Sequence, residues 1–158
     1  MNKINDEFFM RKAIELSVNN IDENGGPFGA VIVKNGEIIA QGVNRVTKNI
    51  DPTAHAEVNA IREASQKLGT FDLSGCVLYS SCEPCPMCLG AIYWAHLDKL
   101  FYANTKVDAK NIGFDDSFIY EEIELPKEKR KIPTIQILNR EAMAAFEKWR
   151  TKDDKIEY

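Results

Sequence analysis

Two short segments hold the residue types that bind a metal and move a proton: Thr53-Ala54-His55-Ala56-Glu57 and Pro84-Cys85-Pro86-Met87-Cys88. Cysteines three apart in the first turn of a helix project to one side, so a single ion can take both sulfurs. The positive end of that helix favours thiolate over thiol. His55 adds a neutral nitrogen, which makes three protein ligands for zinc and leaves the fourth tetrahedral position to water, as in catalytic rather than structural sites. Zinc brings the pKa of such a water down to about 7. Glu57 stands two residues beyond His55, and in mid-helix such a pair diverges. At a helix start the axis itself can aim at the metal, and Asp51 or Thr53 near the cap puts His55 there. Glu57 is then placed to take a proton from the water and return it to a substrate.

The same residues admit plainer uses. A Cys-x-x-Cys pair alone also serves structural zinc sites and redox centres, and Cys82 offers a fourth sulfur for a structural site. His-Ala-Glu can simply begin a helix. Of the four cysteines, Cys76 and Cys82 read as small buried residues, and His96, at a helix end, as a surface or capping histidine. The first seven residues carry one lysine with no apolar run behind it, so they do not read as a secretory leader. Without export, the cysteines read as thiols or ligands rather than a disulfide frame, and the cytoplasm is the expected compartment.

The elements that must position these groups can be read from periodicity. Residues 6–21 form an amphipathic helix capped by Asp6, with Phe9, Ala13, Leu16 and Asn20 along one side. Gly25-Gly26-Pro27 ends it. Residues 28–34 and 37–42 are two strands joined at Asn35-Gly36, a dipeptide suited to a tight hairpin. A helix over 54–68 stops at Gly69, a buried strand spans 76–81, and a helix over 85–95 starts with Pro84 or Pro86. Residues 100–103 and 135–138 read as further strands. Asp108-Ala109-Lys110 can open a helix, and a last one over 140–152 puts Ala142, Met143, Phe146 and Trp149 inward. Strand-helix-strand order favours parallel pairing, which gives a mixed sheet covered by helices on both faces.

The 158 residues fit a single domain, 1–158, with no repeat or linker. No apolar run nears the ~20 residues of a membrane span. Lys and Arg number 20 against 24 Asp and Glu, a net charge of −4, which weighs against a general nucleic-acid binder. The basic run at 127–131 is explained as well by a solvated loop.

At the metal segments the chain resembles the cytidine deaminase-like superfamily, in its branch of purine and tRNA-adenosine deaminases. The likeness lies in Pro27-Phe28-Gly29-Ala30, His55-Ala56-Glu57, and Cys82-Glu83-Pro84-Cys85-Pro86-Met87-Cys88 followed by Gly90-Ala91-Ile92. It implies an α/β fold: a three-layer α/β/α sandwich with a five-stranded mixed sheet. Gly113-Phe114-Asp115-Asp116-Ser117-Phe118-Ile119-Tyr120 and the terminal Tyr158 are similar to the guanine deaminases of bacteria. The reaction so implied is guanine plus water to xanthine plus ammonia, with zinc as cofactor, a small purine base as partner, and a homodimer closed in part by the C-terminal tail. The zinc motifs alone do not separate guanine from tRNA adenosine, adenine, cytosine, guanosine or a triazine, nor do they exclude a non-catalytic zinc-stabilised binding module.

The resemblance also assigns substrate contacts. Asn44 offers a donor and an acceptor to a purine edge, although a turn residue explains it too. Phe28 is placed to stack on the base, Trp94 to line the pocket, and the Ala56 and Cys85 backbone amides to bind developing charge. Asp116 is the candidate second carboxylate, and Tyr158 brings a phenol and an end-of-chain carboxylate. Without the resemblance, Phe28 reads as core, Trp94 as a buried helix face, Asp116 as a solvated loop and Tyr158 as a frayed end.

Overall fold

The computed structural model describes residues 3–158, with side chains from residue 5; Met1 and Asn2, part of the leader reading, lie outside the described residues. Helix α1 (Lys3–Asp22) leads into the hairpin β1 (Gly29–Lys34) and β2 (Glu37–Val43). Short α2 (Val46–Asn49) precedes α3 (Ala56–Leu68), β3 (Cys76–Cys82), α4 (Pro86–Trp94) and β4 (Lys99–Asn104). Then come α5 (Lys106–Asn111), α6 (Ser117–Glu124), a 3-10 turn (Lys127–Lys129) and α7 (Asn139–Arg150). Contacts divide the chain into a first unit ending at Ser117 and a second, Phe118–Tyr158. Among the described residues no helix is long and apolar enough to cross a membrane.

The first unit is an α/β structure on a mixed sheet of order β2-β1-β3-β4. β1 runs antiparallel to both β2 and β3, while β3 and β4 are parallel across the α4 crossover. The hairpin turns where expected, with Asn35 at φ 53° and Gly36 at φ 82°. Because strand side chains alternate, β1 and β3 feed two apolar layers. Val31, Val33, Val77 and Tyr79 pack with Phe9 and Ala13 of α1. On the opposite face Ala30, Ile32, Cys76 and Leu78 pack with α3 and with Ile92 of α4. The buried side of α3 is Ala56, Ala60 and Ala64, small residues one turn apart that let the helix lie close to the sheet. Gly42 completes this approach: a Cβ there would overlap the Ala56 carbonyl oxygen and come within 2.6 Å of the Ala60 nitrogen.

The sheet has four strands among the described residues, not the expected five. Residues 133–138 carry no regular structure. Pro133 brings no N–H to a ladder, and Leu138 turns left-handed at φ 53° to precede α7, so the Ile-x-Ile alternation has no partner strand to act on. Within the second unit α7 buries none of its residues, so Met143, Phe146 and Trp149, expected to face inward, are exposed there. An amphipathic pattern fixes which side of a helix is apolar; it does not supply the surface that covers it.

Candidate active site

Two helix starts meet at the carboxyl ends of the parallel strands. His55 is the N-cap of α3 (φ −72°, ψ 158°), and Cys85 is the N-cap of α4 (φ −65°, ψ 168°) with Pro86 at its first helical position. The extended backbone at His55 lets the imidazole leave sideways while Glu57 follows in the first turn. Asp51 steadies the approach: its Oδ1 accepts from both Thr53 N–H (2.8 Å) and Thr53 Oγ1 (2.7 Å). His55 Nδ1 then lies 3.6 Å from Cys85 Sγ and 3.4 Å from Cys88 Sγ.

These separations fit a zinc ion. Tetrahedral coordination with ordinary Zn–N and Zn–S bonds puts nitrogen and sulfur about 3.6 Å apart. The ligand atoms of His55, Cys85 and Cys88 all lie within 4.8 Å of one another, and among the described residues this is the only such group. Cys82 is not a member. Its thiol approaches the Thr105 carbonyl oxygen (3.7 Å) and is pushed up to about 11, chiefly by burial, so it stays protonated. His96 also lies elsewhere, beside Asp72 at 3.6 Å.

The three ligand groups are electrostatically coupled. Cys85 is held down to about 4, first by its hydrogen bond with Cys88 and then by His55, against the cost of burial. Cys88 is driven upward because it shares its proton with Cys85 and because it is buried near Glu57. His55 is raised, mainly by hydrogen bonding to Cys85. Without metal the three groups share protons that zinc would displace.

Glu57 is 6% exposed, with Oε1 accepting from the Ser80 hydroxyl at 2.8 Å. It borders a cavity of 470 Å³ together with His55, Cys85, Phe28, Asn44 and Asp116. Phe28 meets Phe114 edge-to-face, with centroids 4.9 Å apart at 89°. Asn44 Oδ1 accepts from Val46 N–H at 3.3 Å. The Asp116 carboxyl is raised by burial and by the negative Cys85 and Glu83 nearby. Ala56 is fully buried at the first helical position of α3, where a backbone N–H has no partner within the helix.

Trp94 stands apart from these. It is 66% exposed and does not border the cavity. Six residues beyond Cys88, it is rotated about a third of a turn off the metal-facing side of α4. Tyr158 belongs to the second unit.

Several residues around the site were not foreseen. Glu83 Oε2 accepts from Lys106 N–H at 3.0 Å, tying the end of β3 to the start of α5. Asn20 Nδ2 donates to the carbonyl oxygens of Gly26 (2.8 Å) and Asn44 (2.9 Å), joining the glycine turn to the end of β2. Ser80 and Asn20 share a readable signal. Each is polar at a position where the periodicity is otherwise apolar, and a buried polar group needs a partner.

Residues 3–104 match the family described as the cytidine and deoxycytidylate deaminase zinc-binding region. The chain belongs to this family. It is 54% identical to the guanine deaminase of Bacillus subtilis over 156 residues, covering 98% of this chain and 100% of that one. The X-ray structure of the Bacillus subtilis guanine deaminase superposes with a TM-score of 0.95 at 53% identity, covering 100% of this chain and 99% of that chain. A tRNA-specific adenosine deaminase of Aquifex aeolicus is 41% identical over 107 residues, covering 68% of this chain and 70% of its own. A deaminase-family chain with a nitrogen-sulfur-sulfur triad beside a buried glutamate is a zinc-dependent aminohydrolase.

Proposed function

We propose that this deaminase hydrolyses guanine to xanthine and ammonia. The observation that carries the reading is Asp116, a half-buried carboxylate on the cavity that also holds His55, Cys85, Glu57 and Asn44; of the other carboxylates there, Glu83 is engaged by Lys106 N–H and Asp115 by Ser117 and Lys110. The likeness to a guanine deaminase over 98% of this chain also supports it, against 68% of the chain for the tRNA-specific adenosine deaminase.

In this reading His55, Cys85 and Cys88 would hold a zinc ion, which would supply a Lewis acid able to make water nucleophilic near neutral pH. Glu57 takes the proton of the attacking water on its free oxygen. It delivers that proton to the ring nitrogen beside the amino-bearing carbon, then carries the remaining proton of the new hydroxyl to the departing amine, so the C–N bond breaks, ammonia leaves and the new oxygen becomes the xanthine carbonyl. Asp116 accepts from guanine's amino and ring N–H edge. Asn44, its oxygen engaged by Val46, presents its amide NH2 to a purine acceptor. Phe28 forms one wall for the ring, and the Ala56 backbone N–H supports developing charge.

We further infer a homodimer, to which the exposed apolar face of α7 contributes. The tail with Tyr158 closes a site, its own or a neighbour's, so that residues 1–158 act as one deaminase. Four cysteines free of disulfides suit the cytoplasm. A concentration-independent monomer mass in light scattering would rule out the dimer.

Ammonia release from a panel of free bases, nucleosides and tRNA tests the substrate. Guanine should be preferred, and Asp116→Ala should lose most guanine turnover while keeping its zinc. Preference for tRNA or cytosine would overturn the assignment.

A further inference from the structure

Ser80 lies on β3, on the face that Cys76 and Leu78 give to the apolar layer beneath α3. It is fully buried, so its hydroxyl must be satisfied by the protein. It donates to Glu57 Oε1 at 2.8 Å, a buried side-chain pair that joins the sheet to the first turn of α3. We propose that Ser80 is a positioning residue: its hydroxyl holds Oε1 of Glu57, so that Oε2 is the oxygen that exchanges protons in the cavity. The proposal rests on the reading of Glu57 as the proton carrier.

A glutamate has several rotatable bonds, and the last of them is broad and nearly two-fold. A carboxylate that serves first a water and then two nitrogens of the substrate must stay within hydrogen-bond reach of each, or the rate falls. Fixing one oxygen from a central strand restrains that rotor without using the other oxygen. A neutral hydroxyl is well suited, because it donates to the carboxylate without adding charge beside the metal ligands. Cys88 also lies close to Glu57, but a sulfur that ligates a metal has no proton to donate. Ser80 is then the side-chain donor that persists when zinc is bound.

Zinc-loaded wild type, Ser80→Ala, Glu57→Ala and the double variant test this by zinc content, steady-state kinetics on guanine and thermal melting. Ser80→Ala should keep one zinc per chain and a KM within about twofold, while kcat falls about tenfold, equivalent to about 1.4 kcal/mol of barrier. On the Glu57→Ala background the serine change should leave the residual rate unaltered. Melting needs no substrate and reads the contact itself. Ser80→Ala should lower Tm in the wild-type background, but leave it unchanged or raise it with Glu57→Ala, where the hydroxyl is already orphaned. If Ser80→Ala does not fold, Ser80→Cys, similar in size but a weak donor, carries the same expectation for kcat at unchanged KM. A zinc-loaded variant with wild-type kcat, or additive melting shifts, overturns the proposal. Absence of guanine turnover by wild type would sink the guanine reading, leaving the melting cycle as the test of Ser80.

Discussion

Asn20 offers a quantitative test of how the cavity wall is held. Its amide is 2% exposed and bonds the carbonyl oxygens of Gly26 and Asn44. In Asn20→Ala both bonds are lost, but unequally. Gly26 O keeps a second donor, Phe28 N–H at 2.8 Å, whereas Asn44 O loses the one that reaches it from α1. Leaving a buried carbonyl unsatisfied costs roughly 1–3 kcal/mol. Against that, Asn20 Oδ1 is itself buried without a partner, so truncation removes one orphan as it creates another. The lost packing adds to the cost, and the net expectation is about 2 kcal/mol of destabilisation. For a chain of this length that is roughly 4–8 °C in Tm. Asn20→Asp should be worse than Asn20→Ala although it is nearly isosteric, because a carboxylate would then face two carbonyl oxygens. Because the amide holds the backbone of Asn44, guanine KM should rise in Asn20→Ala while kcat changes little. Melting and steady-state kinetics at full zinc occupancy measure both. Asn20→Asp as stable as wild type, or Asn20→Ala with unchanged KM, would refute the reasoning.

Gly42→Ala should destabilise by at least the ~1–3 kcal/mol of ordinary overpacking, since the new Cβ meets α3 backbone rather than a yielding side chain. Displacing α3 also shifts His55, so a chelator competition should show weaker zinc binding. Asp115 is lowered to about 2, first by its hydrogen bond from the Ser117 hydroxyl and then from the Ser117 N–H, with Lys110 adding to both. A depressed carboxyl stabilises the fold above its unfolded pKa, and that contribution is lost as pH falls from about 4 through about 2. Protection of the Ser117 amide relative to its intrinsic exchange rate should fall over that window, and Asp115→Asn should flatten the change; a wild-type protection factor independent of pH there would contradict it.

The metal group was legible because spacing and helix-start geometry constrain it together. One residue between His55 and Glu57 is useful only at a helix start, two residues between the cysteines put both sulfurs on one side, and both pairs sit at N-termini. The hairpin was legible because Asn35-Gly36 needs positive φ and few other dipeptides accept it. The fifth strand was not, since alternation at 135–138 specifies side-chain faces and cannot specify a partner for the ladder. Trp94 shows another limit: its type suits a pocket, but its phase on α4 carries it off the metal-facing side. Asn20 and Ser80 were missed because single polar residues on apolar faces declare a need for a partner without naming it. Only the fold brings Ser80 to Glu57, 23 residues away in the chain.

The most direct test is the rate of xanthine formation from guanine by wild-type and Glu57→Gln proteins of equal, full zinc content. Wild type should convert guanine to equimolar xanthine and ammonia, and the variant should keep its zinc and fold while losing roughly 100- to 10,000-fold in rate. No xanthine from the zinc-loaded wild type, or a zinc-loaded Glu57→Gln protein turning over near the wild-type rate, would contradict the account.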